Sequence, residues 1–276
     1  MKTAGIQTVL ARIPESFRFA FSGLIVSIIA LAMSSPAHCA DSSDNSELTA
    51  TVGAKFWENT WESWIVVPTA FNLASRQVVD TVNSSSALAV IPQVSLRYGS
   101  WLGSVSALTP TNYTQTASYG TPLAASRYEV DGNFGYYVLP GLALTAGYKQ
   151  LEQKFGGTFK WRGPTLSTSG TARLGSGFSL YGTVSVGYLK VHLPFADGAG
   201  DTSRHAIYEL GEAGLVYSFG DLARFLPFLN LTLGYRAQTL TTRGYGLLDD
   251  NKPPIISHQD VHDTTQGPTV SIVGVF

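Results

Sequence analysis

The side chains able to do chemistry fall into two groups. The first is the run His258-Gln259-Asp260-Val261-His262-Asp263, two imidazoles and three carboxylate-bearing or amide neighbours in one short stretch. Such a set can hold a divalent cation or activate water through a His–carboxylate pair. Ser257 precedes it, and Asp249 and Asp250 lie just upstream, so the parts of a Ser–His–Asp hydrolase are also present on paper. His192 and His205 flank a second polar stretch. In a loop a four-residue offset does not guarantee that two side chains share one face, and this run reads as loop. Solvated loop residues are the simpler reading, so His258 and His262 stand as metal candidates only. No catalytic residue is assigned, and no cofactor is expected.

The second group is dispersed: Lys55, Arg97, Glu129, Asp131, Lys149, Arg173, Glu212, Asn230, Arg236 and Gln238. Each occupies the polar phase of a segment in which every second residue is apolar or small. If those phases share one interior, both charge signs meet there. They would form either a constriction that selects solutes or a set of pairs that fills the space, because an isolated buried charge is costly. A narrow barrel fills its own interior, which favours the second outcome.

The elements that would position these groups are strands, since alternation with period two is the mark of a strand with two unlike faces. Tyr128, Val130, Gly132, Phe134, Tyr136 and Val138 oppose Glu129, Asp131, Asn133, Gly135 and Tyr137. Leu229 to Ala237 repeats the pattern against Asn230 to Gln238. Segments 48–57, 88–98, 101–109, 142–151, 159–174, 178–190, 207–219 and 267–276 read similarly, giving about ten strands; misreading one hairpin within 58–109 would make eight or twelve. In 159–174, Trp161 and Leu166 are read as sharing a face, which predicts a bulge at Gly163-Pro164. Short links at Gly99-Ser100, Pro140-Gly141 and Gly175-Ser176-Gly177 alternate with long polar stretches near 58–87, 110–126, 192–204 and 241–266.

Composition narrows the setting. Charged residues make up 13% of 276 positions, about half the ~25% of an ordinary soluble domain. A net charge of −1 gives no field for holding nucleic acid. Lys2, Arg12 and Arg18 precede an uncharged run from Phe19 to Met33, followed by Ser34, Ser35, Ala37 and Ala40. The run is shorter than the ~20 residues of a membrane-crossing helix and ends in small residues, so residues 1–40 read as a secretory signal, cut after Ala37 or after Cys39. Residues 41–276 then form the working domain.

The last ten residues, Gly267 to Phe276, alternate apolar side chains and end on Phe. With the signal and the strand pattern, this segment resembles the C-terminal strand of Gram-negative outer-membrane β-barrels, in which such an end is read by the assembly machinery. The resemblance implies an all-β, transmembrane, antiparallel up-and-down barrel in the outer membrane, with Val270, Ile272 and Phe276 as the assembly signal. Its expected partners are that machinery, outer-membrane lipid and lipopolysaccharide, and a monomer is expected. Two aromatic girdles follow: Tyr98, Trp101, Tyr136, Phe178, Tyr217, Phe219 and Phe276 below, and Phe56, Tyr128, Tyr148, Trp161, Tyr188 and Tyr235 above. Trp57, Trp61 and Trp64, at near-helical spacing, mark the first loop as an amphipathic rim helix, an extension of the girdle or an inward plug. Functionally, the pattern reads as a scaffold for surface loops; the alternatives are a narrow porin-like channel, a loop-based adhesin or, further off, a rim hydrolase.

Overall fold

The computed structural model describes residues 48–67, 78–116, 122–155, 157–192, 203–223, 226–242 and 261–276, all of it strand and tight turn. Eleven strands form one antiparallel sheet: β1 (Leu48–Val67), β2 (Val78–Ser84), β3 (Ala87–Tyr98), β4 (Trp101–Thr116), β5 (Pro122–Leu139), β6 (Leu142–Lys154), β7 (Thr158–Gly175), β8 (Phe178–His192), β9 (Ser203–Ala223), β10 (Leu226–Thr242) and β11 (Val261–Val275). Sequential strands pair, except that β2 and β3 each pair with β1 and β4 and not with one another, and β11 returns to β1 over the register Thr51↔Val275 to Trp64↔His262, closing a ring. β2 and β3 pair with the upper and lower halves of β1, so together they fill one place in a ten-place barrel. All ten strands read from alternation are present, and most run farther than alternation indicated.

Turn chemistry sets the lower rim. Pro140 and Gly141 join β5 to β6, and Gly141 has φ 83°; a fixed proline φ followed by a left-handed glycine is the type II arrangement. Between β7 and β8, Ser176 (φ 50°) and Gly177 (φ 81°) are both left-handed, as a two-residue hairpin of type I′ requires. The short turns and both ends of the ring lie together at this rim, which is the periplasmic end of an outer-membrane barrel.

Around the lower part of the ring, apolar side chains point outward and are exposed: Leu48, Val52 and Phe56 on β1, Phe134 and Tyr136 on β5, Leu231, Leu233 and Tyr235 on β10, and Val270 and Ile272 on β11. The stretch from Leu48 to Phe56, or from Leu229 to Ala237, matches the roughly 9–11 residues a tilted strand needs to cross a bilayer. Inside at this level lie Ser104, Ser106, Asn133, Thr145, Ser167, Ser169, Thr183 and Thr232, half-buried. Hydroxyls pair across neighbouring strands, as in Thr51 with Ser95 at 2.6 Å, Ser167 with Ser185 at 2.8 Å, and Thr232 with Ser271.

Above the belt the polarity inverts. Glu58 and Thr60 face out while Trp57 and Trp61 face in and are buried. Leu151, Trp161, Leu189, Val191, Ala206, Tyr208, Leu210 and Leu240 form one core inside the wall. Trp61, Tyr113 and Ala125 form a second, with the Trp61 and Tyr113 rings edge-to-face at 5.5 Å. Each large apolar side chain enclosed there contributes about 1.5–3 kcal/mol. This collar is built like a soluble barrel.

The inversion explains three departures from the sequence reading. Trp161 is 4% exposed and faces in, whereas Leu166 is 64% exposed and faces lipid; Trp161 is therefore core and not girdle. No bulge lies at Gly163-Pro164: Arg162↔Lys190 and Thr165↔Gly187 keep one register, and pairing to β6 is unbroken. Pro164 has no N–H to donate, so the ladder to β8 opens there without slipping. Away from the lower rim, where the register shifts between Tyr137 and Leu139, Arg173 and Gly175, and Leu226 and Phe228, the irregularity lies instead in β4, between Leu108 and Thr111. Finally, the segment of Trp57, Trp61 and Trp64 is strand, not a rim helix, and the predicted loops begin later: Glu58–Val67 is β1 and Thr111–Thr116 is β4.

Candidate functional site

Most of the predicted lumen residues converge on one network where belt meets collar. The pleat phase of each strand decides the inward side, and the ring then brings distant strands together. Glu129 accepts from Arg127 Nε at 2.6 Å and from Lys149 Nζ at 2.7 Å. Lys149 also reaches Asp131 at 2.9 Å. On the other wall, Glu212 binds Lys55 at 2.5 Å and Arg236 at 3.3 Å, and accepts from the Tyr181 hydroxyl at 2.9 Å. The halves join through Gln238, whose Nε2 donates to Glu129 Oε1 at 2.6 Å while its Oε1 accepts from Arg236 at 3.2 Å. β10 and β5 lie on opposite sides of the ring, so this contact crosses the lumen.

The network is closed from above and reached from below. Lys149 and Glu129 are buried to within 1% of completeness, while Asp131 keeps 22% of its side chain exposed. Aromatic faces complete the cations' surroundings: Lys149 Nζ lies 4.5 Å from the Tyr208 ring centre and Arg236 Cζ 5.0 Å from that of Trp57. Tyr208 also donates to Gln238 at 3.2 Å. Tyr181 lies along a floor of glycine; a methyl added at Gly234 would collide with its hydroxyl, and one at Gly214 with its Cε1. Four cations, Lys55, Arg127, Lys149 and Arg236, thus face three carboxylates, Glu129, Asp131 and Glu212. Nothing here resembles an acid–base pair held apart for catalysis; every charge is committed to an opposite one, which is what burial demands.

Three expected members stand elsewhere. Arg97 is at the lower mouth, donating to Gly99 O at 2.8 Å with its guanidinium over Tyr137 at 4.5 Å, and Arg173 is exposed on the same rim. Asn230 is half-buried in the lower lumen. The sequence reading omitted Arg127, Tyr181, Tyr208 and Thr265, whose hydroxyl accepts from Arg127 Nη1 at 2.6 Å. Arg127 shares the parity of Glu129 and Asp131, so carrying β5 one residue past Tyr128 would have found it. Among the histidines, His258 lies outside the described residues, as do Asp249, Asp250, Ser257 and Asp260. His262 bonds Thr241 at 3.1 Å, and Asp263 faces inward to Ser63 at 2.5 Å and Trp61 at 3.2 Å. Among the described residues no group of three His, Cys, Asp or Glu side chains is placed to hold a metal.

At the end of the ring, Phe276 N donates to Ala50 O and Ala50 N to Phe276 O, at 2.8 and 3.0 Å, with Val270, Ile272 and Phe276 exposed on the outer face.

Among solved structures, the fold is similar to the outer membrane protease OmpT from Escherichia coli, at 10% identity over 83% of this chain and 96% of that chain, with a TM-score of 0.47. It is also similar to the outer membrane protein OprG from Pseudomonas aeruginosa (12% identity, 83% and 93% covered, TM-score 0.37). A third likeness is to a Pseudomonas aeruginosa FadL homologue (8%, 83% and 90%, TM-score 0.34). No family model matches the chain, and no curated protein matches it. At such identities the likeness is one of strand architecture alone. The closed antiparallel ring, its apolar belt and its short-turn rim define the class: an integral outer-membrane β-barrel. Within that class it is a ten-place barrel whose lumen is crossed by paired charges and packed aromatics.

Proposed function

We propose that the protein is a sealed outer-membrane scaffold that carries surface loops, rather than a conduit. The observation that carries this reading is the Gln238–Glu129 hydrogen bond between opposite walls, beneath an interior filled by Trp57, Trp61, Leu151, Leu189 and Leu240. Opening a path would separate paired, desolvated charges, which costs several kcal/mol. Residues 1–40 act as the export signal, and the final strand with Val270, Ile272 and Phe276 is the segment offered to the assembly machinery. The long connections above the collar are then the parts that meet partners outside the cell.

Planar-bilayer recording tests the sealed state. The full-length barrel gives no stable conductance steps, and Lys149→Ala does not create them, because the collar core still fills the lumen. Discrete, reproducible steps from the unmodified protein would overturn the proposal.

A further inference from the structure

Above the belt, the outer surface of β6 to β9 differs from the rest of the wall. Arg162 on β7 is the direct Cα partner of Lys190 on β8, and Lys190 of His205 on β9. One step higher, Lys160 is the partner of His192. All five side chains are exposed and face outward. Like charges directly opposite on neighbouring strands repel, yet among the described residues no carboxylate is bonded to Arg162 or Lys190. Lys160 shares the single Glu152 carboxylate, at 3.3 Å, with Lys154 at 3.6 Å. Elsewhere around the wall, the described outward positions beyond the belt include Glu58, Thr60 and Glu62 on β1, Asn112 and Thr114 on β4, Thr239 and Thr241 on β10, and His262, Thr264 and Gln266 on β11, with no Lys or Arg among them, while on β9 the carboxylate of Glu209 faces outward two outward positions below His205. The cationic face is therefore one-sided.

Its height is fixed by what lies beneath. Reading up β7, lipid-facing Leu166 gives way to Pro164, then Arg162, then Lys160; reading up β8, Val186 gives way to Tyr188, then Lys190, then His192. Tyr148 and Tyr188 are exposed girdle rings, and Tyr188 stacks on His205 at 5.0 Å with an interplanar angle of 17°. Aromatic girdles sit at headgroup level, so the cations lie at the phosphates of the outer leaflet, with apolar wall directly below for acyl chains.

We propose that Arg162 and Lys190, flanked by Tyr148, Tyr188 and His205, form a binding site for a phosphorylated glycolipid of the outer leaflet. This rests on the outer-membrane reading above and specifies the lipid contact. A guanidinium grips phosphate in two hydrogen bonds and the ammonium supplies a point charge. A phosphate between them removes the repulsion that the register imposes, while the girdle and belt hold the attached chains.

The test is native mass spectrometry of the full-length barrel in nanodiscs, titrated with a bis-phosphorylated lipid A, the same glycolipid stripped of phosphate, and inorganic phosphate. Phosphorylated lipid remains bound. The Arg162→Gln/Lys190→Gln variant loses roughly tenfold or more in affinity, from two charge-assisted bonds. Arg162→Lys keeps part of the binding, and Glu58→Gln on the opposite wall keeps all of it. Equal retention of the stripped lipid, or full retention by the double variant, would overturn the site. Displacement by millimolar inorganic phosphate would overturn the lipid assignment in favour of a simple anion site. Heat-modifiable gel migration, measured on every variant, separates these results from failure of the barrel reading: its absence in the unmodified protein would sink that reading, whereas a migrating double variant that keeps its lipid sinks only the site.

Discussion

The belt and the collar are the lower and upper parts of one ring of strands, with opposite solutions. In the belt, Leu233 is 61% exposed and faces lipid while hydroxyls and small residues line the interior; seven residues further along the same strand, Leu240 is 1% exposed and faces inward. The change is one of solvent. Hydrocarbon outside the belt makes outward charge costly and leaves polar groups to the lumen. Water outside the collar reverses the preference, so the collar buries its apolar side chains as a soluble barrel does. The charge network sits at the junction, where neither an apolar interior nor an open aqueous one is available.

The comparison is broken most severely at that junction. Glu129→Ala removes the acceptor shared by Arg127, Lys149 and Gln238, leaving buried cations uncompensated. The expected loss is about 3–5 kcal/mol in unfolding free energy, read from urea titrations in lipid vesicles. Next comes the collar core. Leu240→Ala leaves a cavity among Leu189, Tyr208 and Leu210 and costs about 2–5 kcal/mol by the same titration. Leu233→Arg, at mid-belt on the same strand, costs about 2–4 kcal/mol. The smallest effect belongs to the same new side chain placed higher: Thr239→Arg, facing out into water, stays within about 0.5 kcal/mol. Equal penalties for the two arginine substitutions would mean that the belt extends over both positions.

The belt was legible in the sequence because lipid enforces strict alternation. Tyr128 to Val138 and Leu229 to Ala237 could be assigned to faces without a structure, and the ten strand positions follow from such runs. The collar was not, because its apolar residues change sides while the pleat continues. Trp161 and Leu166 are both large and apolar but face different solvents, and assuming one solvent turned a regular strand into a bulge. The same assumption ended strands early at Glu58 and Tyr128 and so excluded Arg127. The membership of the network was largely readable from parity; its pairing was not. Which charges meet depends on the ring bringing Gln238 to Glu129 across 109 positions of sequence, and no local pattern encodes that. The Arg162–Lys190 face was hidden similarly, since each residue looks like an ordinary strand-end charge until register sets them side by side.

The border between belt and collar can be measured on β10 alone. Residues 41–276 contain no cysteine, so single cysteines at the outward positions Leu231, Leu233, Tyr235, Ala237, Thr239 and Thr241 can each carry a bimane probe in vesicles of brominated lipid. Strong quenching at 231 to 235, falling away by 239 and 241, is the predicted profile. Quenching that persists undiminished to 241 would contradict the inversion of polarity on which the whole reading rests.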